Sequence, residues 1–215
     1  MPWMIYGANG YTGEMIAREA AKRGMRPILA GRNEAAVTAL ANKLSLPSRV
    51  FSLNDEAAVL EGLGFQNVFI YLNSGNAVFH SETKPNTPTV QAALEGHFGF
   101  TIPTLVLPGK QVQEIAANIP ADWTNDSPKP DKSGQKSDVL YLFDEIDSPD
   151  VLDKFGYKPE VETMIYVNGA VITNVSRANQ MKGSLQKLIG SPLYAHVTIR
   201  NINTARKLAE LVRTS

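Results

Sequence analysis

Seven residues near the N-terminus, Gly7-Ala8-Asn9-Gly10-Tyr11-Thr12-Gly13, have the composition and spacing of a phosphate cradle. They separate an apolar run, Trp3 to Tyr6, from a helix-period stretch over residues 13 to 23. At such a junction main-chain N–H groups point at an anion, and the missing Cβ at Gly7 and Gly10 lets it come close. Gly13 lets the helix pack tightly on the strand, and Tyr11 reads equally as a cover for a bound cofactor or as an exposed packing residue. The pattern Gly-x-x-Gly-x-x-Gly is a relative of the dinucleotide fingerprint Gly-x-Gly-x-x-Gly. Ala30-Gly31-Arg32-Asn33 ends the second apolar run. An acidic residue there would accept from ribose hydroxyls and repel a 2′-phosphate; the planar guanidinium of Arg32 does the reverse, and Asn33 can add a hydrogen bond. The expected cofactor-binding residues are therefore Gly7, Asn9, Gly10, Tyr11, Thr12, Gly13, Arg32 and Asn33, and the expected dinucleotide is NADP. The plain alternatives are a glycine-rich turn without a ligand and a solvated arginine at a strand end.

Other chemistry finds little support. His80, His97 and His196 are scattered, without the spacing of a metal site. There is no Tyr-x-x-x-Lys pair and no Gly-x-Ser-x-Gly, so no catalytic residue is assigned. Asp144, Glu145, Asp147, Asp150 and Asp153 lack EF-hand spacing and read as a solvated loop and helix start. Arg200, Arg206, Lys207 and Arg213 make the C-terminus locally basic, as cations near a helix C-terminus would. Ser74-Gly75-Asn76 reads either as a tight turn or as a small polar pocket.

The elements that must position these groups follow from periodicity. Strands are expected at residues 3–6, 27–30, 49–53 and 68–72, with helices at 13–23 and 34–44 and a third helix capped by Asn54 or Asp55. This alternation suits crossovers on a parallel sheet. Beyond residue 72 it breaks down into a turn at 74–76, a helix from Thr87-Pro88, a strand at Ile102 to Leu107 and a helix at 110–118. An exposed loop at 121–137 follows, then a strand at 138–143 and a hairpin with a type I′ turn at Asn168-Gly169. A helix at 181–189, a strand at 195–199 and a helix at 204–212 complete the chain.

The 215 residues are 43% hydrophobic and carry 21 basic and 21 acidic side chains, so no overall positive field draws the chain to nucleic acid or an anionic membrane. The absence of cysteine removes disulfides and thiolate chemistry. No apolar run is long enough to cross a bilayer, and a cytoplasmic location is expected.

Met4 to Asn33, with Ile-Tyr-Gly-Ala-Asn-Gly-Tyr-Thr-Gly and Ile-Leu-Ala-Gly-Arg-Asn, resembles the N-terminal NADP-binding segment of saccharopine dehydrogenase-like reductases. The resemblance implies a cofactor role for Gly7, Gly10, Gly13 and Arg32, and oxidoreductase chemistry. It fades by about residue 60, and the second half of that family's sheet is absent. From Gly62-Leu63-Gly64-Phe65 through Tyr71-Leu72-Asn73-Ser74-Gly75-Asn76-Ala77-Val78-Phe79, Glu95-Gly96-His97-Phe98-Gly99-Phe100 and Thr198-Ile199-Arg200-Asn201, the chain resembles a bacterial family of uncharacterised ferredoxin-like α+β proteins. The expected fold is thus an α/β Rossmann-like half, residues 1–65, joined to an α+β ferredoxin-like portion, residues 66–215. Two partial families joined inside one shared sheet suggest a chimera, natural or engineered. An NADP(H)-binding protein of oxidoreductase type is the first functional expectation; a noncatalytic composite is the alternative.

Overall fold

Three strands open the chain: β1 (Met4–Tyr6), β2 (Ile28–Gly31) and β3 (Ser48–Val50), all parallel and ordered β1-β2-β3. The structure is a computed structural model that describes residues 3–52, 55–72 and 75–213. Ile5 and Leu29 are register neighbours, and on them lie Ala17 of α1 (Tyr11–Lys22) and Val37, Leu40 and Ala41 of α2 (Glu34–Leu44). Both helices therefore cover one face. Alternation along the strand sends Tyr6 to the other face, where its ring meets Phe51 at 5.2 Å. Phe51 in turn meets Phe98 and Phe100 at 5.1 and 5.8 Å.

Next come α3 (Asp55–Gly62) and an antiparallel hairpin of β4 (Gln66–Tyr71) and β5 (Asn76–His80). Helix α4 (Thr87–Phe98) starts under an Asn86 cap with Pro88 in its first turn and stops at Gly99, whose φ of 73° is left-handed. After α5 (Gly109–Ala117) the chain builds β6 (Gln135–Leu142), α6 (Val151–Phe155), β7 (Glu162–Val167), β8 (Ala170–Ser176), α7 (Leu185–Leu188), β9 (Val197–Asn201) and α8 (Ile202–Leu211). Their strands form one antiparallel sheet, β7-β8-β6-β9, with β6 paired on both edges. Val139, Tyr141 and Ile172 pack with Ile115, Ile202 and Ala205 of α5 and α8. Leu140, Leu142 and Val171 pack with Val151, Phe155 and Leu188 of α6 and α7. Both faces of this sheet are covered.

Several expectations need correction. There is no shared sheet among the described residues: β3 ends the parallel one, and β4 pairs only with β5. Ile102 to Leu107 is not a strand. Its first amides are taken by α4 side chains, Ile102 N donating to Glu95 Oε1 at 3.1 Å and Thr104 N to Gln91 Oε1 at 3.2 Å. Leu105 and Leu107 instead hold the segment by packing on the α5/α8 core. The Asn168-Gly169 hairpin exists, but only Gly169 has a positive φ, whereas a type I′ turn needs two. Within 121–137, Trp123 is buried, Arg206 donates to the carbonyls of Pro120 and Trp123, and β6 starts earlier than expected, at Gln135. The helix expected at 181–189 shrinks to Leu185–Leu188, because the buried Glu162 carboxylate fixes the turn ahead of it by accepting from Ser184 N at 3.0 Å. Helix α1 begins at Tyr11 and not at residue 13, because Gly10 is its cap. Leu53, the Asn54 cap, Asn73 and Ser74 lie outside the described residues; Asp55 accepts from Ser52 N at 3.2 Å at the start of α3.

Candidate functional site

The Gly7 to Gly13 loop joins the C-terminal end of β1 to the N-terminus of α1. Gly7 takes a φ of 74°, and a Cβ built on it would meet nothing within 4 Å, so the space in front of it is open. Ala8 is fully buried and ties the loop down by donating to the Ala30 carbonyl at 3.0 Å. Gly10 N donates to the Gly7 carbonyl at 2.9 Å, which turns that amide inward. Gly13 has no room for a side chain: its Cβ would sit 2.2 Å from the Gly7 carbonyl oxygen. Helix and strand touch there, as the spacing implied.

The helix start is uncapped by any side chain, and among the described residues the amides of Asn9, Tyr11, Thr12 and Gly13 have no hydrogen-bond acceptor. Unpaired first-turn amides carry the positive end of the helix dipole and suit an anion. Tyr11 is 86% exposed and does not plug the loop. Glu14, in the same turn, is held away by its ion pair with Arg18 one turn on.

Gly31 ends β2 against this loop; a Cβ on it would lie 2.9 Å from Asn9 Oδ1 and 3.9 Å from Gly7 Cα. Arg32 follows immediately, exposed and without an ion pair or hydrogen bond among the described residues. Asn33 already serves the fold, because its carboxamide oxygen caps α2 by accepting from Ala36 N at 3.0 Å. Only its amide NH2 is left for a ligand. The structure thus brings Gly7, Asn9, Gly10, Tyr11, Thr12, Gly13, Arg32 and Asn33 to the same end of the parallel sheet, with Gly10 serving the turn and not the anion.

Of a second place the sequence suggested only one corner, the possible polar pocket at Ser74-Gly75-Asn76. A cavity of about 790 Å³ opens between β5, the 102–107 segment, α4 and the β9/α8 region. Arg200 reaches into the β4/β5 turn there: its Nε donates to Asn76 Oδ1, and Nη1 to Thr198 Oγ1 at 2.8 Å. Asn76 passes the contact on by donating to the Tyr71 carbonyl at 2.9 Å. Burial pulls the Arg200 guanidinium below its ordinary range, and burial pushes the Tyr141 phenol up to about 12. Tyr141 is 4% exposed, lines the cavity, and its hydroxyl has no hydrogen-bond partner among the described residues. The signal was present in two fragments, Ser74-Gly75-Asn76 and Thr198-Ile199-Arg200-Asn201, whose meeting in space periodicity could not reveal.

The remaining titratable clusters are structural. Asp147 accepts from Tyr166 Oη at 2.9 Å and Gly169 N at 3.0 Å, which braces the β7/β8 turn. His97 and His196 face Asp55 and Glu145 at 3.7 and 3.8 Å. Among the described residues no group of His, Asp and Glu is arranged to hold a metal, and no helix is long and apolar enough to cross a membrane.

A family model described as a protein of unknown function, DUF1697, matches residues 48–173, from the start of β3 to the middle of β8. Among solved structures, the conserved bacterial protein SP0830 from Streptococcus pneumoniae is similar in fold, with a TM-score of 0.60 and 23% identity over 76% of this chain and 89% of its own. No curated protein matches.

Proposed function

We propose, for a chain that belongs to the DUF1697 family of proteins of unknown function, that its N-terminal segment binds NADP(H) by the adenosine end. One observation carries this: four unpaired amides, Asn9 and Tyr11 to Gly13, sit beside an exposed, unpaired Arg32 at the same strand ends. The amides suit the pyrophosphate and the guanidinium suits the 2′-phosphate, the division of labour of a Rossmann-like half. The resemblance of Met4 to Asn33 to reductase segments supports the same reading.

Oxidoreductase chemistry has less behind it. In a complete dinucleotide fold a further strand beside β1 carries the nicotinamide half. Here β1 pairs only with β2 among the described residues, and Glu14, the acid in the first turn of α1, is engaged by Arg18. The proposed role is therefore binding alone, with residues 1–65 as the cofactor segment and 66–215 as a ferredoxin-like portion.

Calorimetric titration with NADPH and NADH tests it. NADPH should bind more tightly, and Arg32→Ala should weaken NADPH by roughly tenfold to a hundredfold, the worth of a charge-assisted contact, while changing NADH far less. Equal affinities for the two, or an Arg32→Ala protein indistinguishable from wild type, would overturn the assignment.

A further inference from the structure

We propose that the cavity beside β5 receives a short extended segment of another protein, which adds a strand between β5 and residues 102–107. The two banks of the cavity are lengths of main chain. On one side β5 is bonded to β4 along a single edge, leaving Ala77 to His80 free along the other. On the other side Leu105, Val106 and Leu107 belong to no helix or sheet, and their main chains make no hydrogen bond among the described residues. Both stretches line the same cavity. Unpaired main-chain donors and acceptors facing a common space are the template on which a strand is added.

The volume agrees. A strand with neighbours at about 4.8 Å, a rise of about 3.3 Å per residue and a layer depth of about 10 Å takes up roughly 160 Å³ per residue. A cavity of about 790 Å³ has room for a short extended segment, on the scale of the facing β5 with its 5 residues. Leu60, Val90, Leu94 and Phe98 from α3 and α4 and Leu208 and Val212 from the α8 end line it beside the charged Glu56, Lys84 and Arg200, so the occupant needs apolar side chains where it meets the helices and polar ones between them.

The Tyr141 hydroxyl gives an independent reason. Tyr141 is more than nine-tenths buried and lines the cavity, and its hydroxyl lacks a partner among the described residues, which is costly for a buried polar group. A purely apolar small molecule would leave it and both main-chain banks unpaired. A second copy of this chain has no strand to offer that is free on both edges: among the described residues every strand, β5 included, is already bonded along at least one edge, so none could pair with both banks.

A displayed library of seven-residue segments, apolar at alternate positions and otherwise random, would be selected against the full chain. The best segment would then be synthesised with and without N-methylation of its main chain. Enrichment is expected, with slowed exchange at those amides of Ala77 to His80 and Leu105 to Leu107 that face the cavity, and with binding weakened by roughly tenfold for each main-chain bond that N-methylation removes. The proposal falls if nothing is enriched, if the N-methylated segment binds as well, or if protection appears elsewhere. It falls equally if those amides are already protected in the free protein and sedimentation shows a dimer, which would make a second copy the occupant. None of these results bears on NADPH binding, because the two sites share no residue.

Discussion

The parallel and antiparallel sheets use their main-chain groups differently. In the antiparallel sheet β6 is bonded on both edges, helices cover both faces, and its central residues Val139, Leu140, Val171 and Ile172 are fully buried. The parallel sheet has strands of 3 or 4 residues, an open edge at β1, and both helices on one face. Pairing on both edges, as in β6, fixes a strand and leaves none of its main-chain groups for a ligand. The amides left over at residues 9 and 11–13, and the unpaired stretch at 105–107, are where binding is proposed.

If that contrast is right, damage to the two regions should separate stability from binding. Ile172→Ala removes side-chain atoms from a fully buried site and should lower the unfolding free energy by about 2–5 kcal/mol in urea titration. NADPH affinity of the folded fraction should not change; a change would mean the regions are coupled.

A pH series probes the antiparallel sheet from another side. Burial raises the Tyr141 phenol to about 12, above its ordinary value of 10. The folded state therefore keeps its proton longer than the unfolded chain does. The stability this gives is whole below about pH 10 and is lost as pH rises to about 12, roughly 2–3 kcal/mol in all. Tyr141→Phe should flatten that loss and, by removing an unpaired hydroxyl, should be neutral or slightly stabilising at pH 7.

In the parallel region, Gly13→Ala forces a Cβ to within 2.2 Å of the Gly7 carbonyl oxygen unless the backbone moves. A loss of roughly 1–3 kcal/mol is expected from thermal melts, together with loss of NADPH binding. The smallest effect is the most discriminating. Asn33→Ala removes the α2 cap and should cost about 1 kcal/mol, whereas Asn33→Asp keeps the cap and the stability but sets a negative charge beside Arg32. Weaker NADPH binding by Asn33→Asp, measured beside an unchanged melt, would separate the two roles of this residue.

Local signals in the sequence were readable wherever one stretch of chain decides the outcome. The α2 range, the Asn168-Gly169 hairpin and the close approach of Gly13 each follow from a few neighbouring residues. Ile102 to Leu107 has the composition of a strand, yet a strand needs a partner, and its first amides went to Glu95 and Gln91. The residues 121–137 lack periodicity, but Arg206, more than 80 positions away, pins the Pro120 and Trp123 carbonyls. The cavity around Asn76, Tyr141 and Arg200 was invisible for the same reason: its parts come from well-separated stretches of chain. The Gly7 to Gly13 loop was legible as a strand-to-helix turn because its glycines lie within seven consecutive residues.

The most direct test follows backbone amide signals by NMR while NADPH is added to the full chain. The largest changes are expected at Asn9, Tyr11, Thr12 and Gly13, with a matching change at the Arg32 guanidinium, and quiet signals at Ala77 to His80 and Leu105 to Leu107. Changes gathered around the cavity, or a spectrum that NADPH leaves untouched, would contradict binding at the first crossover.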